Sequence, residues 1–499
     1  MSAAAQASSS ATTVPPASSL TRLARLPKRP GMTALDRADY VLRIPILSLK
    51  IRAADVGRMK AHPLLRGQLM DIPKVRGILP DPTDESFRLL RLRVQSEDQL
   101  PELTRELLTT LGAALVPDVV ELDYDSWTAS DILNSILPNE GLDDAPSSFT
   151  QTGHIGHVNL KDEWLPYKHL IGQVILDKNP KLRTVVNKLN TIHAEYRYFD
   201  MEVLAGDHDF IATVNESNCT FTLDFRHVYW NSRLHHEHER LVSLFQPGEV
   251  VADVMAGVGP FAVPAAKKGC YVLGNDLNPE SVKWMRENRV KNRVEATLRP
   301  SEVDGREFIR NAPLQVWTDP FPPAGPSMSR NERERQARRL REAKAATTAP
   351  EHAAATALSG LSIEAPSVNG GGTSAPAQTQ QDKPLRPQEV DHFVLNLPDS
   401  ALTFLDAFRG CCAPLLDQPG YDRTKAKMAM VHVYCFTREL EAAKAEQDIC
   451  ARASQYLEHT ISPSSTDYAL HLVRSVAPNK DMYCLSFRLD PDVAFRVPS

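Results

Sequence analysis

VVADVMAGVGPFAVPAAKKGCYVLGNDLNPES, residues 250–281, contains a complete strand–turn–helix–strand unit. The apolar segment Val250 to Val254 runs into a turn, Ala256-Gly257-Val258-Gly259. A helical run from Pro260 to Lys268 follows, and a second apolar segment, Cys270 to Gly274, stops at Asp276. This order is one βαβ unit of a nucleotide-binding α/β sheet. Gly257 and Gly259 let the backbone turn sharply and approach a ligand, since no Cβ intervenes. Pro260 lacks an N–H and suits a helix's first turn. A carboxylate ending the second strand is placed to accept hydrogen bonds from two ribose hydroxyls.

The glycines alone do not name the nucleotide, because Gly257-x-Gly259-x-x-Ala262 also fits a degenerate dinucleotide fingerprint. Two details favour S-adenosylmethionine (SAM). Asp253 precedes the turn, where a cationic ligand without a pyrophosphate is suited to an acid. Pro260 occupies a position where a pyrophosphate would need a free helix N–H. The run resembles the first two motifs of class I SAM-dependent methyltransferases, and the expected fold class is an α/β, Rossmann-like SAM methyltransferase domain preceded by smaller α/β or α+β domains.

The 499 residues suffice for two or three domains. Hydrophobic residues at 42% and charged residues at 24% describe an ordinary soluble chain. The seven cysteines form no CxxC pair, so neither a zinc site nor a disulfide framework is indicated. No apolar run approaches a membrane span, and no membrane partner is expected. The net charge of −5 is uninformative, since nucleic-acid binding depends on local basic patches.

Residues 1–34 contain no acid and carry Arg22, Arg25, Lys28 and Arg29. That composition fits a mitochondrial transit peptide or a disordered basic tail. The expected division is a tail over 1–38, a small α/β domain over 39–125, and a linker with a β-rich domain over 126–232. A methyltransferase domain over 233–499 completes the chain, interrupted by a low-complexity insertion at 322–388. In the second domain, Pro101 to Leu115 reads as a helix before a strand at VVELDY. Downstream, CTFTLDFRHVYW reads as a strand and Arg438 to Leu457 as a long helix.

Several clusters invite metal chemistry. His154 and His157 form HxxH with no cysteine or carboxylate group at ligand spacing. The cluster His235-His236-Glu237-His238-Glu239 fails the HExxH pattern, because Arg240 stands where a second histidine is required. No metal is expected. Basic and aromatic residues interleave from Lys181 to Tyr198, a pattern that suits phosphates and unstacked bases and equally a half-buried sheet.

Taken in order, HIGHVNL (154–160), EYRYFDMEVLAG around Arg197, NSRLHHEHER (231–240), DVMAGVGPF (253–261), NDLNP (275–279), NLP (396–398) and VRSVAPNKDMYCLSF (473–487) resemble the tRNA (guanine-37) N1-methyltransferases of eukaryotes and archaea. That family is shared with the wybutosine-pathway aminocarboxypropyl transferase. The resemblance spans about residues 40–320 and 388–490. It implies a tRNA partner, with the guanine 3′ of the anticodon as target, and SAM as cofactor. It implies Glu237 as general base, Arg197 stabilising charge on O6, and Asn396 and Pro398 orienting the guanine. It places His238, Asp253, Gly257, Gly259, Asp276, Leu277, Asp304, Gly305 and Asn396 around the cofactor. Glu237 as a helix N-terminal acid and Arg197 as a phosphate clamp remain open, as do aminocarboxypropyl transfer and a non-catalytic tRNA-binding role. A monomer is expected, in the mitochondrial matrix with cytoplasmic and nuclear pools.

Overall fold

The computed structural model describes residues 26–32, 34–72, 74–138, 146–192, 199–322 and 388–496. Arg197, most of the N-terminal tail and most of the low-complexity insertion lie outside the described residues. The chain divides into two compact units, Met1–Thr213 and Val214–Ser499.

The first unit holds two four-stranded sheets. In one, β1 (Leu42–Arg52) lies between β3 (Phe87–Arg91) and β4 (Ala114–Leu122), with β2 (Ile78–Pro80) outside β3, all antiparallel. The helix α1 (Glu102–Thr110) is shorter than the sequence suggests. Gly112 turns left-handed at φ 57 and β4 begins at Ala114. Pro117 hides that strand's pattern, and it is tolerated because β4 is an edge strand pairing with β1 alone. In the other sheet, β5 (Thr150–Thr152), β6 (Ile155–Val158), β7 (Thr184–Ile192) and β8 (Phe199–Gly206) lie in that order. The parallel step from β6 to β7 is made through the helix α2 (Lys168–Lys178).

A hairpin of β9 (Ile211–Glu216) and β10 (Cys219–Asp224), turned by Ser217 and Asn218 at φ 48 and 59, carries the chain into the second unit. The strand β10 stops at Asp224, whose carboxylate turns back to accept from the Arg226 N–H, so the longer strand expected through Trp230 does not form. The helix α3 (His235–Leu244) then leads into a seven-stranded sheet of order β13-β12-β11-β14-β15-β17-β16. Its strands are β11 (Val250–Asp253), β12 (Tyr271–Asn275), β13 (Leu298–Ser301), β14 (His392–Leu395), β15 (Met430–Thr437), β16 (Ala469–Ala477) and β17 (Lys480–Arg488). The first five are mutually parallel, and β17 and β16 close the sheet as an antiparallel hairpin. The chain proceeds from β11 outward to β12 and β13, then returns to the other side of β11 with β14. That reversal opens a crevice at the carboxyl ends of β11 and β14, the place where such sheets bind ligands.

Local chemistry explains the elements around that crevice. Every residue of β11 and β12 is buried, as parallel strands covered on both faces require. The helix α4 (Ala262–Lys268) ends at Gly269, which adopts φ 106 and continues the chain in a left-handed cap. The helix α5 (Pro279–Lys291) starts with Asn278 accepting from the Glu280 N–H at 3.0 Å and with Pro279 in its first turn. The helix α6 (Gly305–Thr318) packs on the face that also buries Phe393, Leu395 and Phe408. The last long helix, α7 (Ala442–Leu457), begins four residues later than expected. Thr437 Oγ1 accepts from the Glu439 N–H and holds that segment as a turn.

Candidate active site

The glycine turn is built for close approach. Gly257 sits at φ 56, and a Cβ built there would meet nothing within 4 Å, so its face is open. Gly259, at φ 97, is tighter: a Cβ would lie 2.8 Å from Val263 Cγ2. The Gly257 N–H donates to Asp276 Oδ2 at 2.8 Å, and the Asn278 N–H donates to Oδ1 at 2.9 Å. Asp276 therefore ties the turn to the end of β12 while keeping lone pairs free for a ligand.

Asp253 is fully buried at the end of β11, and neither carboxylate oxygen has a hydrogen-bond partner among the described residues. Burial, with the charge of Asp276, pushes its pKa well above the usual carboxylate value. The Ala262 N–H offsets this in part without reaching hydrogen-bond geometry. Burial also raises Asp276, against the backbone donors that lower it. Two acids that hold their charge poorly, beside an open glycine face, suit a cationic ligand. The residues present fit SAM.

The other predicted cofactor residues take distinct places. Leu277 is half exposed just past Asp276. Asp304 caps α6, accepting from the N–H groups of Arg306 at 2.9 Å and Glu307 at 3.3 Å. Gly305 is a packing position, where a Cβ would come 2.9 Å from the Phe404 ring. His238 is buried, with Nδ1 2.5 Å from Glu216 Oε1 and its ring edge-on to Phe261 at 4.7 Å.

Glu237 is 6% exposed on the facing side of α3. Arg240, one turn on, grips it with two bonds, Nε to Oε2 at 2.6 Å and Nη2 to Oε1 at 2.7 Å. Tyr434 Oη donates to Oε1 at 2.7 Å, and His471 Nε2 lies 3.5 Å from Oε2. The Arg240 guanidinium is held even more firmly protonated by this pairing. Asn396 follows Leu395, and Tyr434 follows Leu395's register partner Val433. Glu237 thus reaches, through Tyr434, the strand that pairs with the one leading into Asn396. Asn396 Oδ1 is buried without a partner among the described residues, and the Pro398 carbonyl accepts from the Phe436 N–H at 3.0 Å.

Several supports were not apparent in the sequence. Asn275 bridges three strand ends, donating to the carbonyls of Val254 and Val303 and accepting from Ser301 Oγ and the Val303 N–H. Asn288 donates to the Val258 carbonyl at 3.1 Å and accepts from the Thr222 N–H at 2.7 Å, bracing the glycine turn from behind. Asparagines spaced four apart at 288 and 292 were the available signal, within a helix that reads as charged.

Fold and site together define a class I SAM-dependent methyltransferase domain. Residues 129–209 match the model for the TYW2 N-terminal domain, and residues 212–316 match that for the TRM5/TYW2 methyltransferase domain. The tRNA (guanine(37)-N(1))-methyltransferase of Cryptococcus neoformans is 54% identical, over 94% of this chain and 88% of its own length. The protein of the same name from Schizosaccharomyces pombe is 40% identical over 94% and 97%. The chain belongs to the tRNA (guanine(37)-N(1))-methyltransferase family, and its cofactor is SAM. Among solved structures, the fold matches aTrm5 from its complex with tRNALeu at TM-score 0.53 and 16% identity, over 89% of this chain and 100% of that one. It matches Trm5b from Pyrococcus abyssi at TM-score 0.52 and 18% identity, over 89% and 99%. No helix among the described residues is long and apolar enough to cross a membrane.

Proposed function

We propose that the chain methylates N1 of guanine 37 in tRNA, with Glu237 as general base. When bound, SAM supplies an electrophilic methyl group on a sulfonium, held by Asp253, Asp276 and the open face of Gly257. Guanine N1 is a weak nucleophile until its proton leaves, so a carboxylate within hydrogen-bond reach is the chemical requirement. The observation that carries the reading is the placement of Glu237. It is a buried carboxylate oriented by Arg240 and by Tyr434, whose strand pairs with the one that leads into Asn396. Asn396, with an unspent buried acceptor, and Pro398 orient the guanine. Arg197 is assigned to O6, where a permanently charged guanidinium offsets growing negative charge. That role rests on the family motif alone. A target in a loop is turned out at low cost, since its base is already free of a duplex.

The test is methylation of a tRNA transcript with guanine at 37 beside one with adenine there, read by nucleoside mass spectrometry. Label transferred from methyl-labelled and not from carboxyl-labelled SAM excludes aminocarboxypropyl transfer. Glu237→Gln is expected to slow single-turnover methylation by roughly a hundredfold or more, with SAM affinity nearly intact. A rate near wild type removes Glu237 from the reaction. We further propose a monomer, and a mitochondrial pool directed by the acid-free basic tail beside pools in cytosol and nucleus. Sedimentation and fractionation check these two points.

A further inference from the structure

Three strands of the second unit bring a row of side chains under α3. Tyr434 on β15 pairs with Cys484 on β17, and Cys484 pairs with His471 on β16. Directly opposed residues of an antiparallel ladder share a face. The row therefore runs from the buried middle of the sheet to its edge. Tyr434 and Cys484 are buried, whereas the His471 side chain is 45% exposed. Glu237 crosses this row from above, touching both ends of it.

The hydrogen bonds of Glu237 leave one place for chemistry. Among the described residues, Oε1 accepts from Arg240 and Tyr434, and Oε2 accepts from Arg240 alone. An ionised carboxylate offers about four lone-pair sites, so the vacant one is on Oε2, and His471 Nε2 lies 3.5 Å from that oxygen. A proton taken up there has few exits, because Glu237 is nearly enclosed. Burial pushes the Cys484 thiol up to about 11 and the Tyr434 phenol well above its ordinary value. Both keep their own protons and accept no other. Arg240 is permanently charged. Imidazole is the side chain that takes up and releases protons near neutral pH, through two distinct nitrogens.

We propose that His471 relays to water the proton that Glu237 removes from guanine N1, passing it from Glu237 Oε2 to His471 Nε2 while Nδ1 releases a proton outward. The proposal rests on Glu237 being the general base. The bonds balance. N1–H breaks as Oε2–H forms at the vacant lone pair; that O–H then swings from the base toward His471, and Oε2–H breaks as Nε2–H forms. N1 gains its methyl as the sulfonium–methyl bond breaks, so the positive charge leaves the site as a proton. His471 does not touch the guanine and acts through Glu237. The groups facing it are Glu237 and Arg240 from α3, Cys484 from β17 and Tyr434 from β15, with Arg474 farther along its own strand. The gain is in driving force. Imidazoles are about 2 pK units more basic than carboxylates. With partial Brønsted sensitivity, that difference is worth roughly tenfold in rate.

The experiment uses the full chain, a guanine-37 transcript and saturating SAM, with single-turnover rates taken across about pH 5.5 to 9. The wild-type rate is expected to fall at the acid end, where release of the proton to water is opposed. His471→Ala and His471→Gln are each expected to slow the reaction about tenfold at neutral pH and to change that acid limb. Affinities for tRNA and SAM are expected to stay within about twofold, and added imidazole to restore the His471→Ala rate. Wild-type rates in both variants, or a slow His471→Ala that imidazole does not rescue, overturn the relay. So does a His471→Gln variant with wild-type behaviour, which keeps a polar contact without a titrating group. Glu237→Gln separates the two claims. If it is inactive while the His471 variants are normal, the relay alone falls. If Glu237→Gln is itself near wild type, the general base falls and the relay with it.

Discussion

Asp253→Asn is expected to make the ligand-free protein more stable at neutral pH and to weaken its grip on SAM. Asp253 is buried, its oxygens have no hydrogen-bond partner among the described residues, and Asp276 adds a second negative charge nearby. Its pKa stands well above the unfolded value, so the folded chain binds that proton more tightly than the unfolded chain does. Stability is therefore unaffected below the ordinary aspartate pKa and declines as pH rises from there toward the folded value. The slope is about 1.4 kcal/mol per pH unit. Each kcal/mol is worth about 2–4 °C of melting midpoint for a domain of this size. Asparagine keeps the shape and removes the titration. The variant should melt with the parent near pH 4 to 5 and increasingly above it as the pH is raised to 8. SAM, bringing positive charge, favours the ionised acid, so its binding to the parent should release up to about one proton and tighten with pH. Calorimetry in buffers of different ionisation enthalpy measures that release. The variant should bind about ten- to a hundredfold more weakly, with the release diminished. A variant no more stable than the parent at pH 8, or a difference independent of pH, would refute the reasoning.

Two further predictions concern the frame around the site. Asn288→Ala leaves the buried Thr222 N–H and Val258 carbonyl without their partner, a loss of about 2–4 kcal/mol in urea unfolding, and SAM affinity should fall as the glycine turn loosens. Replacing residues 323–387 with a short Gly/Ser linker should preserve both fold and methylation. The Phe321 N–H donates to Gln388 Oε1 at 2.9 Å, so the chain leaves and returns at one point. Shortening such a loop gains at most about 2 kcal/mol of closure entropy. A methylation rate reduced more than about tenfold would show that the segment takes part in the reaction.

The parts of the fold legible in the sequence are those whose causes are adjacent in the chain. From Val250 to Ser281 each element is specified by its neighbours: an apolar run, two glycines at positive φ, an alanine-rich helix, then an acid. Pro101 to Leu115 misled because its helix and the following strand share apolar residues. The boundary is set by one left-handed glycine and by a β1 partner about 70 residues upstream. The catalytic candidates show a sharper limit. HHEHER is almost wholly polar, yet Glu237 and His238 are both buried. Successive helical residues point about 100° apart, so the two meet different walls. Glu237 meets Tyr434 and His471 across the sheet, whereas His238 meets Glu216 and Phe261. Each of these buried polar groups is met by a partner from a strand, as a buried polar group requires. Those strand partners lie 22 residues upstream of His238 and 197 or more downstream of Glu237. Register brings them together: the pairing of β15, β17 and β16 decides that Tyr434 and His471 stand in one row beneath Glu237. A slip of one residue in β16 would turn His471 to the opposite face and leave the base with Arg240 and Tyr434 alone. The local motif therefore names the candidate base, while its surroundings are a property of the whole sheet.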